Sequence, residues 1–154
     1  MRKSILLLAA VAGCFAACQN TSTEQKIDSL ATAPDTSKAP GQACYAYIKN
    51  RDTVSLTFTT AGHEIAGKLS YNLFEKDKNS GTVSGLIKGD TIIADYSATG
   101  EGMTYVAQVA FLKKGDQLLE GYGPSEEKNG KRVFTDLSVL KFGQAIVLSA
   151  TTCK

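Results

Sequence analysis

From Cys44 to the C-terminus, apolar and polar residues alternate with a period of two, and no stretch settles into a helical period. Val54, Leu56 and Phe58 alternate with Thr53, Ser55, Thr57 and Thr59. Ile65, Gly67, Leu69, Tyr71 and Leu73 form a second such face, and Met103, Tyr105, Ala107, Val109 and Phe111 a third. This is the pattern of half-buried strands. Shorter strands are predicted at Val83–Ile87, Thr91–Tyr96, Gln117–Tyr122, Arg132–Asp136 and Ala145–Thr151. Gly89-Asp90 and Gly115-Asp116 sit between apolar runs and read as tight hairpin turns, as do Asn129-Gly130 and Gly62-His63. Lys78–Gly81 and Thr99–Gly102 read as bends, and Gly123–Gly130 as a polar loop holding Pro124.

About eight short strands joined by tight turns predict an all-β, antiparallel up-and-down barrel. Closure removes the edges that an open sheet of that length would expose. Gly67, Gly85 and Gly121 fall inside strand patterns, where barrels use glycine to bend a strand at a corner. A β-sandwich is the runner-up, but it needs longer crossovers than these turns provide.

The first 43 residues are of another kind. Met1–Ser4 is a short positive segment, and Ile5–Ala17 is apolar but too short to span a bilayer, which takes about 20 residues. Small residues then precede a cysteine, in Phe15-Ala16-Ala17-Cys18, an order that resembles a lipobox. Val11-Ala12-Gly13-Cys14 fits that consensus better locally, but it leaves an apolar run of only about seven residues. Cys18, followed by the polar run Gln19–Ser22, is the favoured lipidation site. Residues 1–17 are thus expected to be a signal peptide, and 18–43 a lipidated cysteine with a disordered tether rich in Ser, Thr, Ala and Pro. Residues 44–154 are expected to form the barrel.

Removing the first 17 residues takes away Arg2 and Lys3 and leaves 15 basic side chains against 15 acidic ones. Such a chain has no electrostatic footprint for nucleic acid. Cys44 and Cys153 remain in the mature chain, one at each end of the β region, and in an oxidising compartment they read as a disulfide.

The chemical motifs are sparse. His63, the only histidine, lies at a turn tip with no nucleophile indicated beside it. Glu75–Gly81 places oxygen ligands at alternate positions as a calcium loop does, but its glycine is one place late, the distal Glu is missing, and two lysines oppose the charge. Asp95, Glu101 and Glu120 are the carboxylates from which an acid/base pair would be drawn, and nothing in the sequence shows that they meet. No catalytic residue, metal ligand or cofactor is expected. The six tyrosines supply amphipathic surface. They read either as core residues with the hydroxyl at a rim or as the lining of a barrel mouth, and Tyr71 and Tyr105 are the candidate ligand-binding pair.

The lipobox-like start, the tether, and the segments Glu75–Thr82, Lys88–Thr91 and Gly100–Gly102 resemble small Gram-negative bacterial lipoproteins, a family that brings no established activity. The expected barrel is similar in architecture to lipocalins and avidins. The chain has no Trp, whereas lipocalins carry a G-x-W motif and avidins line their site with Trp, so neither family's ligand carries over. Ala98–Tyr105 loosely resembles the inhibitory segment of membrane-bound lysozyme inhibitors. Gln19 in place of Asp after the lipidated cysteine implies, by the lipoprotein sorting rule, the outer membrane. The expectation is a non-enzymatic envelope lipoprotein that binds a small apolar or amphipathic ligand. The alternative is a protein-binding inhibitor of an envelope hydrolase.

Overall fold

The structure, a computed structural model, describes residues 41–76, 78–100 and 102–153. The predicted signal peptide, Cys18 and the tether as far as residue 40 lie outside the described residues, as do Asp77 and Glu101. Ten strands follow in order: β1 Gln42–Lys49, β2 Asp52–Ala61, β3 Glu64–Asn72, β4 Asn79–Lys88, β5 Thr91–Gly100, β6 Met103–Lys114, β7 Gln117–Tyr122, β8 Ser125–Lys128, β9 Lys131–Phe134 and β10 Lys141–Ala150. β1 to β7 pair consecutively and antiparallel, β7 pairs with β10, and β10 pairs with β1, so eight strands close an antiparallel barrel.

The turns follow the residues that tolerate positive φ. Gly62, Gly89 and Gly115 take φ near +60° in the three turns at one end of the barrel. Asn129-Gly130 has both residues at positive φ, as a tight hairpin demands. Two interior glycines have a different reason. A Cβ on Gly67 would lie 2.0 Å from the Thr57 carbonyl oxygen, and one on Gly81 would lie 1.9 Å from that of Ser97. At these points neighbouring strands approach too closely for any side chain, as in a sharply bent barrel wall.

Three local expectations are corrected. Asn79–Gly81 is the start of β4 rather than a bend, because Ser80 and Gly81 pair with β5 as well as β3. The Gly123–Gly130 loop contains β8, and the strand expected at Arg132–Asp136 is β9, which ends at Phe134. β8 and β9 form a hairpin outside the barrel circuit. Its cause is a length mismatch: β6 runs for 12 residues and β7 for 6, so β7 covers only Phe111–Lys114. The uncovered edge of β6 is partly taken up by β9, which pairs in parallel at Ala107–Arg132, while the Phe134 N–H donates to Gln108 Oε1. Asp136 then caps a single 3-10 turn at Leu137–Val139 by accepting from the Ser138 N–H.

The Cys44–Cys153 disulfide forms as expected, with Cα atoms 5.3 Å apart. It joins β1 to the residues after β10, and the Thr151 N–H donates to the Cys44 carbonyl. Both lie at the end of the barrel that carries the Gly62, Gly89 and Gly115 turns. We call this the disulfide end. The interior there is filled by Ile65, Ile92, Phe111, Leu118 and Leu148, with Tyr45 stacked on Phe58 at a centroid distance of 6.0 Å.

Candidate functional site at the tyrosine end

The opposite end is bounded by the β1–β2, β3–β4 and β5–β6 connections. Its loops are tied together: the Phe74 N–H donates to Asp52 Oδ1 at 2.6 Å, and the Arg51 guanidinium lies 3.5 Å from the centroid of the Phe74 ring. Strand alternation brings tyrosines here from several walls, including Tyr71 from β3, Tyr96 from β5, Tyr105 from β6 and Tyr122 from β7. Tyr96 is the hinge of the aromatic group. Its ring meets Tyr71 at 5.9 Å and Tyr105 at 6.3 Å, the latter edge to face.

β7 places Leu118, Glu120 and Tyr122 on one face, so a carboxylate takes a position that the pattern reserves for an apolar side chain. Glu120 is 7% exposed, the one buried charged residue among the described residues. Both of its oxygens are engaged. The Tyr71 hydroxyl donates to Oε1 and the Tyr122 hydroxyl to Oε2, each at 2.6 Å. Burial raises the Glu120 pKa above the ordinary glutamate value, while the bonds from Tyr122 and Tyr71 pull it back. Burial and the adjoining carboxylate push the Tyr71 and Tyr122 phenols well above the usual tyrosine range, so both remain donors. Burial likewise raises Tyr96 and Tyr105. Tyr96 is 2% exposed, and its buried hydroxyl has no hydrogen-bond partner among the described residues.

A cavity of about 420 Å³ opens beside this cluster, with Tyr47, Asp52, Tyr71, Lys76, Glu120 and Tyr122 among its lining residues. A larger concavity, about 720 Å³, lies over β2–β4, where the hydroxyls of Ser55, Thr57, Ser70 and Thr82 alternate with the core positions. It contains no buried charged group, so the distinctive chemistry belongs to the tyrosine end.

The structure brings together some of the sequence candidates and separates others. Tyr71 and Tyr105 share Tyr96 as neighbour, but only Tyr71 reaches Glu120. Asp95 faces outward to an ion pair with Lys131 and does not meet Glu120. His63 is at the disulfide end, exposed, with its carbonyl accepting the Ile87 N–H. Of the Glu75–Gly81 segment, Glu75 takes φ +55° and lies exposed in the β3–β4 connection, while Gly81 is in β4. Among the described residues no group of three metal-ligating side chains converges.

The sequence offered Glu120 only as one of three carboxylates and did not join it to the tyrosines, although a signal of its inward position was there. In Leu118-Leu119-Glu120-Gly121-Tyr122 an acid shares the register of Leu118, which marks it as an inward-facing charge. No protein family, curated protein or solved structure matches this chain.

Proposed function

We propose that this chain is a lipid-anchored protein of the bacterial envelope, held in the outer membrane through Cys18, whose barrel binds a small amphipathic ligand at the tyrosine end without chemical turnover. The observation that carries the reading is the cavity of about 420 Å³ with the buried Glu120 carboxylate in its wall. A few convergent polar groups on an aromatic concavity are the usual makings of a small-ligand site. The packed disulfide end limits the depth of entry, so the ligand presents its polar end to Glu120 and leaves its apolar part near the rim. The chain enters the barrel at the disulfide end, away from the cavity.

Native mass spectrometry of the full mature protein released from lipid nanodiscs tests this. A bound small amphipath is expected on the wild type and not on a Glu120→Gln/Tyr71→Phe variant. A wild type that carries none, and whose tyrosine fluorescence does not respond to alkyl probes, overturns it. The anchor is tested separately by palmitate labelling, which Cys18→Ser should abolish; undiminished label would move the anchor to Cys14.

One observation favours the second reading, a protein-binding inhibitor. Exposed apolar side chains stand on the same rim, with Ile48 75% and Met103 70% exposed. Met103 belongs to the Ala98–Tyr105 segment likened above to an inhibitory loop. Inhibition of a lysozyme by the wild type, lost in Met103→Asp while alkyl probes still bind, would favour this reading over the first.

A further inference from the structure

We propose that the cavity at the tyrosine end selects a primary ammonium group, seated on the free lone pairs of Glu120 between the Tyr47 and Tyr122 side chains. The inference rests on the ligand-binding reading and names the chemistry that the site accepts.

The hydrogen-bond inventory gives the first reason. Tyr71 and Tyr122 spend their only hydroxyl protons on Glu120. What these three groups have left to offer the cavity is acceptor capacity alone: unused lone pairs on the carboxylate and on two phenol oxygens. A donor-only ligand complements such a surface, and an ammonium group carries three donors and no acceptor. A carboxylate or phosphate would bring further acceptors against them.

Charge gives the second reason. The two ion pairs seen among the described residues are Lys131–Asp95 and Arg132–Glu127, so neither supplies a cation to Glu120. Asp52 adds a second carboxyl to the lining, and Lys76 is the one basic residue there among the described residues. The described lining thus holds two carboxyls against one amine. A buried carboxylate held only by neutral donors gains from a cation brought to it. The tyrosine rings add the attraction of their π faces for a cation.

Burial gives the third. Glu120 is 7% exposed, so bulk water competes poorly for an ion seated there, and the interaction acts in a lower effective dielectric than at the surface.

The test is a calorimetric titration of the full mature chain in nanodiscs at neutral pH, with empty discs subtracted. The probes are n-hexylammonium, n-hexyltrimethylammonium, n-hexanol and n-hexanoate. Hexylammonium is expected to bind at least about ten-fold more tightly than hexanol and hexanoate, a difference of about 1.4 kcal/mol. It should also bind more tightly than the trimethylated probe, which has no N–H to donate. Glu120→Gln should reduce hexylammonium to the level of hexanol. Should that variant fail to fold, nuclear Overhauser contacts on the wild type decide, with the ligand methylene next to nitrogen expected against the Tyr122 ring protons. Equal or tighter binding of hexanol or hexanoate, or no contact with Tyr122, overturns the ammonium assignment and leaves the ligand-binding reading standing. Failure of all four probes overturns both.

Discussion

The two ends of the barrel are built from the same strands and do opposite things with them. β3 runs from Ile65, buried at the disulfide end, to Tyr71, hydrogen-bonded at the other. β7 runs from Leu118, fully buried, to Tyr122, exposed. One alternation carries both, so the backbone does not distinguish a sealed end from a chemical one; the change lies in which side chains occupy the inward positions. At the disulfide end they are aliphatic and aromatic and fill the space. At the tyrosine end they carry hydroxyls and a carboxylate and leave a cavity. Stability is therefore expected to concentrate at one end and binding at the other, and the predictions that follow are graded attempts to break that division.

The largest effect should come from the staple. The disulfide closes a loop with a sequence separation of 109 residues. The chain-entropy model assigns such a closure about 4–5 kcal/mol. A Cys44→Ser/Cys153→Ser variant should lose a stability of that order in urea denaturation. While still folded, it should keep its near-ultraviolet tyrosine signal and its response to hexylammonium. Loss of the tyrosine signal in the folded variant would show that the two ends are coupled.

Next come side chains compared across the barrel. Leu118→Ala, at 0% exposure, should cost about 2–5 kcal/mol through lost transfer energy and the cavity left behind. Met103→Ala, on the rim at 70% exposure, should stay within about 0.5 kcal/mol. Chemical denaturation of the two variants side by side checks this, and similar costs would remove the contrast between the ends.

The barrel was legible in the sequence because its cause is local. Alternation in Val54–Phe58 and Ile65–Tyr71, and glycines at the turns, act over a few residues. The disulfide was legible because Cys44 and Cys153 are the two cysteines of the β region, one at each end of it. What was not legible depended on comparing elements distant in the chain. That β7 is half the length of β6, and so leaves an edge for β9, can be seen only when the strands are laid side by side. The site has the same character. Tyr71 and Tyr105 were named from their apolar faces, but the tie between Tyr71 and Glu120 spans 49 residues, and barrel closure alone makes it. Asp95 and Glu120 stood in the sequence as possible partners, and only the assembled barrel separates them, Asp95 in an ion pair with Lys131 and Glu120 buried.

Within the site, Tyr71→Phe removes one donor from the buried carboxylate and keeps the ring. Hydrogen bonds to charged groups contribute about 1.5–3 kcal/mol, and that loss is expected in urea denaturation. Tyr122→Phe should cost less, because Tyr122 is exposed and water can replace its hydroxyl. Equal costs would mean that Glu120 is more open to water than its burial indicates.

The smallest effect is the one that separates stability from binding most cleanly. The Glu120 pKa in the folded barrel is raised, chiefly by burial. Between the ordinary glutamate value and that raised value the folded chain binds a proton more tightly than the unfolded chain, so stability falls as pH rises through this window. The contribution of Glu120 is therefore fully present below the unfolded value and lost as pH climbs through the folded one. Asp136 has the opposite sign: the Ser138 bonds lower its pKa, so its contribution is present above the ordinary aspartate value and is lost as pH falls through the folded one. The two windows lie on different sides of the ordinary carboxylate range and can be read separately. Acidification from neutrality should thus raise the urea midpoint of the wild type relative to Glu120→Gln, before the loss at Asp136 sets in. Over the same window hexylammonium binding should weaken, because the carboxylate that receives it becomes neutral. A barrel that grows firmer while its site lets go is the behaviour expected of a charge held inside for binding rather than for stability. Parallel pH profiles for wild type and Glu120→Gln would show instead that Glu120 titrates as an ordinary surface carboxyl, and the division between the two ends would lose its chemical basis.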